Sequence, residues 1–83
     1  MSVIHHSLFI VIQRFPSDKE CLVRLYQYSK PFQALCDDYL KCLKAIRYWS
    51  RSESRNAGKL VNEYREIKKS LEDEIKERLD VMW

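Results

Sequence analysis

From Phe32 onward, apolar side chains return at positions 32, 35, 36, 39, 42, 43, 46 and 49. Spacings of three and four residues place them on one stripe of an α-helix, with a repeat near 3.5 residues. A second stripe runs through Leu60, Tyr64, Ile67, Leu71, Ile75, Leu79 and Met82. Between them lies "SRNAGK", residues 54 to 59, where Asn56 and Gly58 are the expected turn formers. Two long helices, about 31–53 and 57–81, joined by so short a link, must lie antiparallel.

The N-terminal third is less regular. In "VIHHSLFIVIQRF", residues 3 to 15, the run from Phe9 to Ile12 has strand propensity. No second β-rich segment exists to pair with it, and an unpaired strand leaves its backbone unsatisfied. Ile4, Leu8, Val11, Ile12 and Phe15 also share a helical face. A short helix at about 4–14 is the expectation, with an intersubunit strand as the alternative. "SDKE", residues 17 to 20, reads as a capping box opening a helix at about 18–29 with Leu22, Leu25 and Tyr26 inward. Pro31 then fits the first turn of the third helix.

These elements predict an all-α fold: a long antiparallel helical hairpin with two short N-terminal helices packed on it, a small helical bundle. Eighty-three residues make a single domain, 1–83. One glycine and two prolines leave little turn material, which argues against a many-stranded sheet. At 46% hydrophobic and 33% charged, the chain is too apolar for disorder and too charged for a membrane protein. Its longest apolar run, "LFIVI" at 8 to 12, is too short to span a bilayer and lacks the flanks of a secretion signal. Three cysteines are an odd number without a disulfide framework, so a reducing compartment, the cytoplasm, is expected.

Candidate chemistry is sparse. Cys36 and Cys42 belong to the apolar stripe of the third helix. Six residues apart, they face about 120° from each other, which prevents both a disulfide and a shared metal on an intact helix. They read as small apolar residues, with a thiol- or metal-linked role of Cys21, Cys36 and Cys42 as a lesser alternative in which Cys21 approaches one of the other two. His5 and His6 are adjacent near the terminus, and no later histidine could complete a di-iron or haem motif. Asp37 and Asp38 sit early in their helix, where the dipole favours negative charge. A phosphate-binding loop needs more than one glycine, and no nucleophile elbow is present. No enzyme activity, cofactor, resident metal or small-molecule substrate is expected.

Charge alters this picture in one place. Residues 1 to 40 are balanced, residues 41 to 69 carry nine basic side chains against three acidic, and residues 70 to 83 carry two basic against five acidic. The basic segment wraps the hairpin tip. Lys44, Arg47, Tyr48, Arg51 and Arg55 fall within one helical stripe, a candidate site for an anionic partner. Five oppositely charged pairs four residues apart, Lys59–Glu63, Lys68–Glu72, Lys69–Asp73, Glu72–Lys76 and Glu74–Arg78, are expected to line the last helix. Glu77 and Asp80 oppose the dipole at its end, so packing by Met82 and Trp83 or a basic partner should hold it.

The segments "RFPSDKECLVRLYQYSKPFQALCDDYLKCLKAI" and "EYREIKKSLEDEIKERL" together resemble a group of small, uncharacterised bacterial all-helical proteins of about this length. The shared elements are Phe15-Pro16, Pro31-Phe32, Leu35-Cys36 with Asp38-Tyr39, and Glu63-Tyr64-Arg65 leading into Leu71, Glu72, Glu74 and Ile75; Lys30 stands where an acidic residue is expected. The resemblance implies a fold and no activity. The sequence therefore points to a non-catalytic protein–protein interaction module, self-associating as a homodimer through surplus aromatic surface at Tyr28, Tyr48 and Trp83. Electrostatic binding of nucleic acid at the hairpin tip is the alternative.

Overall fold

Proline, serine and the apolar stripes decide where each helix of this chain begins and stops. The computed structural model describes residues 5–81, and every regular element among them is helical. Helix α1 spans His6–Arg14, a 3-10 turn covers Pro16–Asp18, and α2 runs Lys19–Tyr28. Helix α3 is Lys30–Ser50 and α4 is Ala57–Val81. The fold is an all-α bundle. Residues 6–14 are α-helix, so the intersubunit strand is overturned; Ile4, expected on the same face, lies outside the described residues.

Pro16 ends α1. A residue before proline is pushed out of the α region, and Phe15 sits at φ −129° and ψ 64°. Its N–H still reaches Val11 O at 3.0 Å, and its ring is buried. The expected capping box does not form. Ser17 is inside the 3-10 turn, and Asp18 at the N-cap of α2 makes no side-chain cap hydrogen bond. Proline-led 3-10 geometry has displaced the capping position.

Ser29 is the hinge between α2 and α3. Its extended backbone breaks the helix, its N–H bonds to Leu25 O at 2.9 Å, and its Oγ accepts from Phe32 N at 3.2 Å. One serine thus closes one helix and caps the next. Gln33 Nε2 adds a bond to the Tyr26 carbonyl at 2.6 Å, satisfying another orphan group of α2. Pro31 occupies the first turn of α3, where its missing N–H costs nothing.

Helix α3 stops at Ser50, short of the expected 53. Its last turn tightens: Arg51 N reaches Tyr48 O at 3.2 Å and Ser52 N reaches Trp49 O at 3.3 Å. Ser52 Oγ then captures Ser54 N at 3.1 Å, offering the backbone an alternative to the helical ladder. Gly58, expected as a turn former, lies inside the first turn of α4, and no described glycine has positive φ.

Helices α3 and α4 make the most extensive packing in the molecule, and α1 and α2 lie against α3 and against each other. Two side-chain bonds fix opposed directions for α3 and α4: Tyr39 Oη meets Glu72, and Cys42 Sγ meets the carbonyl of Tyr64. The core gathers Leu8, Val11, Ile12 and Phe15 of the α1 segment and Leu22 of α2. Phe32, Leu35, Cys36 and Tyr39 of α3, with Ile75 and Leu79 of α4, complete it.

The α3 stripe buries its first half fully, while Leu43, Ile46 and Trp49 are half-buried. On α4 the expected stripe needs correction. Ile67 is 47% exposed, whereas Ala57 and Val61 are buried. At about 100° per residue Ala57, Val61, Glu72, Ile75 and Leu79 keep to one face of the helix, and Ile67 falls about 80° or more outside it. Met82 and Trp83 lie outside the described residues.

Candidate interaction site

Lys44, Arg47, Tyr48 and Arg51 project from the second half of α3. With Ser52 they line a single open concavity of about 420 Å³. Its position follows from the helix ending: the stripe Lys44–Arg47–Tyr48–Arg51 faces away from the buried stripe, and the tightened last turn brings Ser52 beside it. Tyr48 is 66% exposed, and Trp49 packs edge-on against its ring at 4.9 Å between centroids. An exposed aromatic side chain ordinarily samples several rotamers; this contact favours one. Arg55, the fifth residue of the expected site, is exposed in the turn before α4 and does not line the concavity.

A second, smaller cleft adjoins the first. Its walls are His6 and Ile10 of α1 with Leu40, Leu43, Lys44 and Arg47 of α3, enclosing about 200 Å³. Lys44 and Arg47 belong to both. The two depressions thus flank the same pair of side chains, one cationic and aromatic at the tip, the other apolar where α1 meets α3. Periodicity on α3 exposed the basic half. The apolar half depends on α1 crossing α3, a contact over about thirty residues of chain that periodicity does not register.

Polar clusters elsewhere have structural duties. The Glu72 side chain is only 13% exposed and gathers three helices. Tyr39 Oη donates to its Oε2 at 2.6 Å, Arg14 Nε donates to the same oxygen at 2.9 Å, and Lys68 Nζ stands 3.9 Å away. Burial pushes the Glu72 carboxyl up, but the Tyr39 and Arg14 hydrogen bonds and the charges of Arg14 and Lys68 outweigh it, leaving it below its ordinary value of 4.5. Burial, reinforced by the bond to Glu72, raises the Tyr39 phenol. Of the five pairs expected along α4, Lys68–Glu72 approaches within 4.0 Å, and the other four are not ion pairs among the described residues. Glu72 turns inward to Arg14 instead.

The trio His5, Ser7 and Asp37 has the residue types of a nucleophilic site and the wrong geometry. Ser7 is fully buried, and its Oγ donates to Asp37 Oδ1 at 2.7 Å, not to the ring. His5 Nδ1 lies 2.9 Å from Ser7 Oγ and accepts from Ser7 N at 3.4 Å, so the histidine caps α1. Its ring stacks on Tyr26 at 5.8 Å. The cluster ties the start of α1 to α3 and exposes no nucleophile. Asp38 is exposed.

All three thiols are free. Cys36 is fully buried, and burial together with the charge of Asp37 pushes its thiol up to about 12. Cys42 is buried and donates to Tyr64 O at 3.1 Å, while Cys21 is partly exposed. No three His, Cys, Asp or Glu side chains converge as metal ligands among the described residues. No helix among them is long and apolar enough to cross a membrane. Compared with known proteins, the chain matches no family model, no curated protein and no solved structure.

Proposed function

We propose that this chain is a non-catalytic, cytoplasmic protein–protein interaction module. In this reading α3 and α4 form a hairpin platform, α1 and α2 clamp its open end, and the exposed tip receives an acidic partner protein. The observation that carries it is the meeting of Lys44, Arg47, Tyr48 and Arg51 around one concavity. Tyrosine and arginine are the residues that dominate binding energy in protein interfaces, because each joins a large contact area to a directional polar group. The resemblance to small bacterial helical proteins supports the platform and adds no activity.

Titration of the purified protein with a fluorescent polyglutamate peptide tests the reading. Binding that weakens with salt and is lost in the Arg47→Glu and Arg51→Glu double variant is the expected result. No binding at low ionic strength removes the proposal.

Self-association is the second reading. Exposed Asp73, Glu74, Glu77 and Asp80 near the far end of α4 give another copy the charge that the basic concavity lacks. Sedimentation equilibrium should then show a homodimer that dissociates as salt is raised; a monomer at every concentration and salt removes this reading.

A further inference from the structure

The concavity at the α3 tip and the cleft between α1 and α3 share Lys44 and Arg47, and their linings differ in character. At the tip, Lys44, Arg47 and Arg51 line the concavity together with Tyr48. In the cleft, Ile10, Leu40 and Leu43 supply an apolar floor, with His6 at its edge. We propose that the two act as one bipartite site for an acidic peptide segment that carries an apolar side chain at one end. The anchor enters the Ile10–Leu40–Leu43 cleft, and the carboxylates that follow lie along Lys44, Arg47 and Arg51. This rests on the interaction reading above and narrows it to one ligand chemistry.

The argument is one of complementarity along a line. Two arginines at the spacing of successive α3 turns suit a row of carboxylates, since each guanidinium takes a carboxylate in a planar, two-point contact. Charge alone gives little affinity at an exposed surface, because water and salt screen it. The partly exposed Leu40 and Ile10 add what charge lacks. Covering them removes apolar surface from water, and the volume of about 200 Å³ admits one large side chain and not a helix. A phosphate gains nothing there, since it would lose hydration against an apolar wall without a hydrogen-bond partner. The joint apolar and cationic lining favours peptide over nucleic acid.

Two labelled peptides, one of glutamates only and one with a phenylalanine preceding the same glutamates, test this against the intact protein by fluorescence anisotropy. The anchored peptide should bind about ten-fold tighter or more, the worth of burying one large apolar side chain. Leu40→Ser should remove most of that advantage while leaving the all-glutamate peptide bound, and Arg51→Glu should weaken both. Helical circular dichroism confirms that each variant is folded, and the wild-type comparison of two peptides needs no variant. Equal affinity for the two peptides overturns the bipartite site while leaving the acidic-partner reading intact. Binding of neither overturns both. An oligothymidine that displaces the anchored peptide at lower concentration than the peptide itself overturns both in favour of nucleic acid.

Discussion

At one end of the bundle, the first half of α3 is enclosed by α1, α2 and the C-terminal half of α4. At the other, the second half of α3 has the start of α4 beside it and meets α1 only at the cleft of Leu43, Lys44 and Arg47. The amphipathic stripe on α3 is equally regular through both halves, yet Phe32, Leu35, Cys36 and Tyr39 are buried while Leu43, Ile46 and Trp49 are half-exposed. Burial of a helical stripe is a property of its neighbours. The enclosed end holds the continuous core, and the tip holds Cys42, Ala57 and Val61 as isolated buried residues outside it. The tip is also where the basic side chains collect, since a two-helix end keeps most of its surface in water. One end holds the core, and the other leaves its basic side chains in water.

Thiol chemistry gives the largest expected contrast between the ends. Cys36 belongs to the core and should react with a thiol reagent only through global opening, about 10³-fold or more slower than Cys21. Cys42, buried where only two helices meet, should fall between them through local opening. Mass spectrometry of timed alkylation reads the order Cys21, Cys42, Cys36; equal protection of Cys42 and Cys36 breaks the distinction between the ends.

Core truncation comes next. Phe32→Ala at the enclosed end should cost about 3–5 kcal/mol, whereas Ile46→Ala toward the tip should cost about 1–2 kcal/mol because its site is already half open to water. Urea unfolding of the two variants measures the gap.

Glu72 joins α4 to α1 and α3 at the inner edge of the enclosed end. Glu72→Gln should destabilise by about 1 kcal/mol at neutral pH, allowing for the solvent exposure of Arg14. The sign of its pH dependence follows from the lowered carboxyl. A group whose folded pKa lies below its unfolded value stabilises fully above that unfolded value and loses the effect as pH falls through the folded one. Wild type and Glu72→Gln should therefore converge on acidification below the ordinary value of 4.5. A gap that persists in strong acid contradicts the assignment.

Two smaller effects belong to the tip. A Cβ on Gly58 would meet nothing within 4 Å, and its backbone is ordinary helix. Gly58→Ala should stabilise by about 0.5–1 kcal/mol, mainly by removing freedom from the unfolded chain. Arg51→Glu should change stability by no more than about 0.5 kcal/mol, while altering partner binding as described. Thermal denaturation distinguishes the two, and a large loss with Arg51→Glu would mean that the tip is structural.

Much of the helical content was legible from spacing alone, because a stripe such as Phe32–Leu35–Cys36–Tyr39 has one low-energy reading. Boundaries were less so. Serine is ambiguous: Ser17 resembles a cap and is not one, Ser29 is a cap whose place Pro31 signals, and Ser52 ends α3 through a local bond. Each competes for backbone groups, and the outcome turns on which conformation the flanking proline or apolar contact permits. The basic half of the candidate site was visible because helical periodicity brings Lys44, Arg47, Tyr48 and Arg51 together. Ser52 joins only because the helix tightens, and Arg55 is excluded because the chain has already left it.

By itself the sequence determined that this chain is helical, where its apolar stripes lie, and that its positive charge gathers in the middle of the chain. These properties arise within a few turns, from side-chain period and local hydrogen bonding. Tertiary structure decided which part of each stripe is buried, which carboxylate turns inward to Arg14 and Tyr39, and that α1 lends Ile10 to a cleft on α3. Those outcomes depend on contacts between segments thirty or more residues apart, where burial and partner geometry, not spacing along the chain, set the free energy.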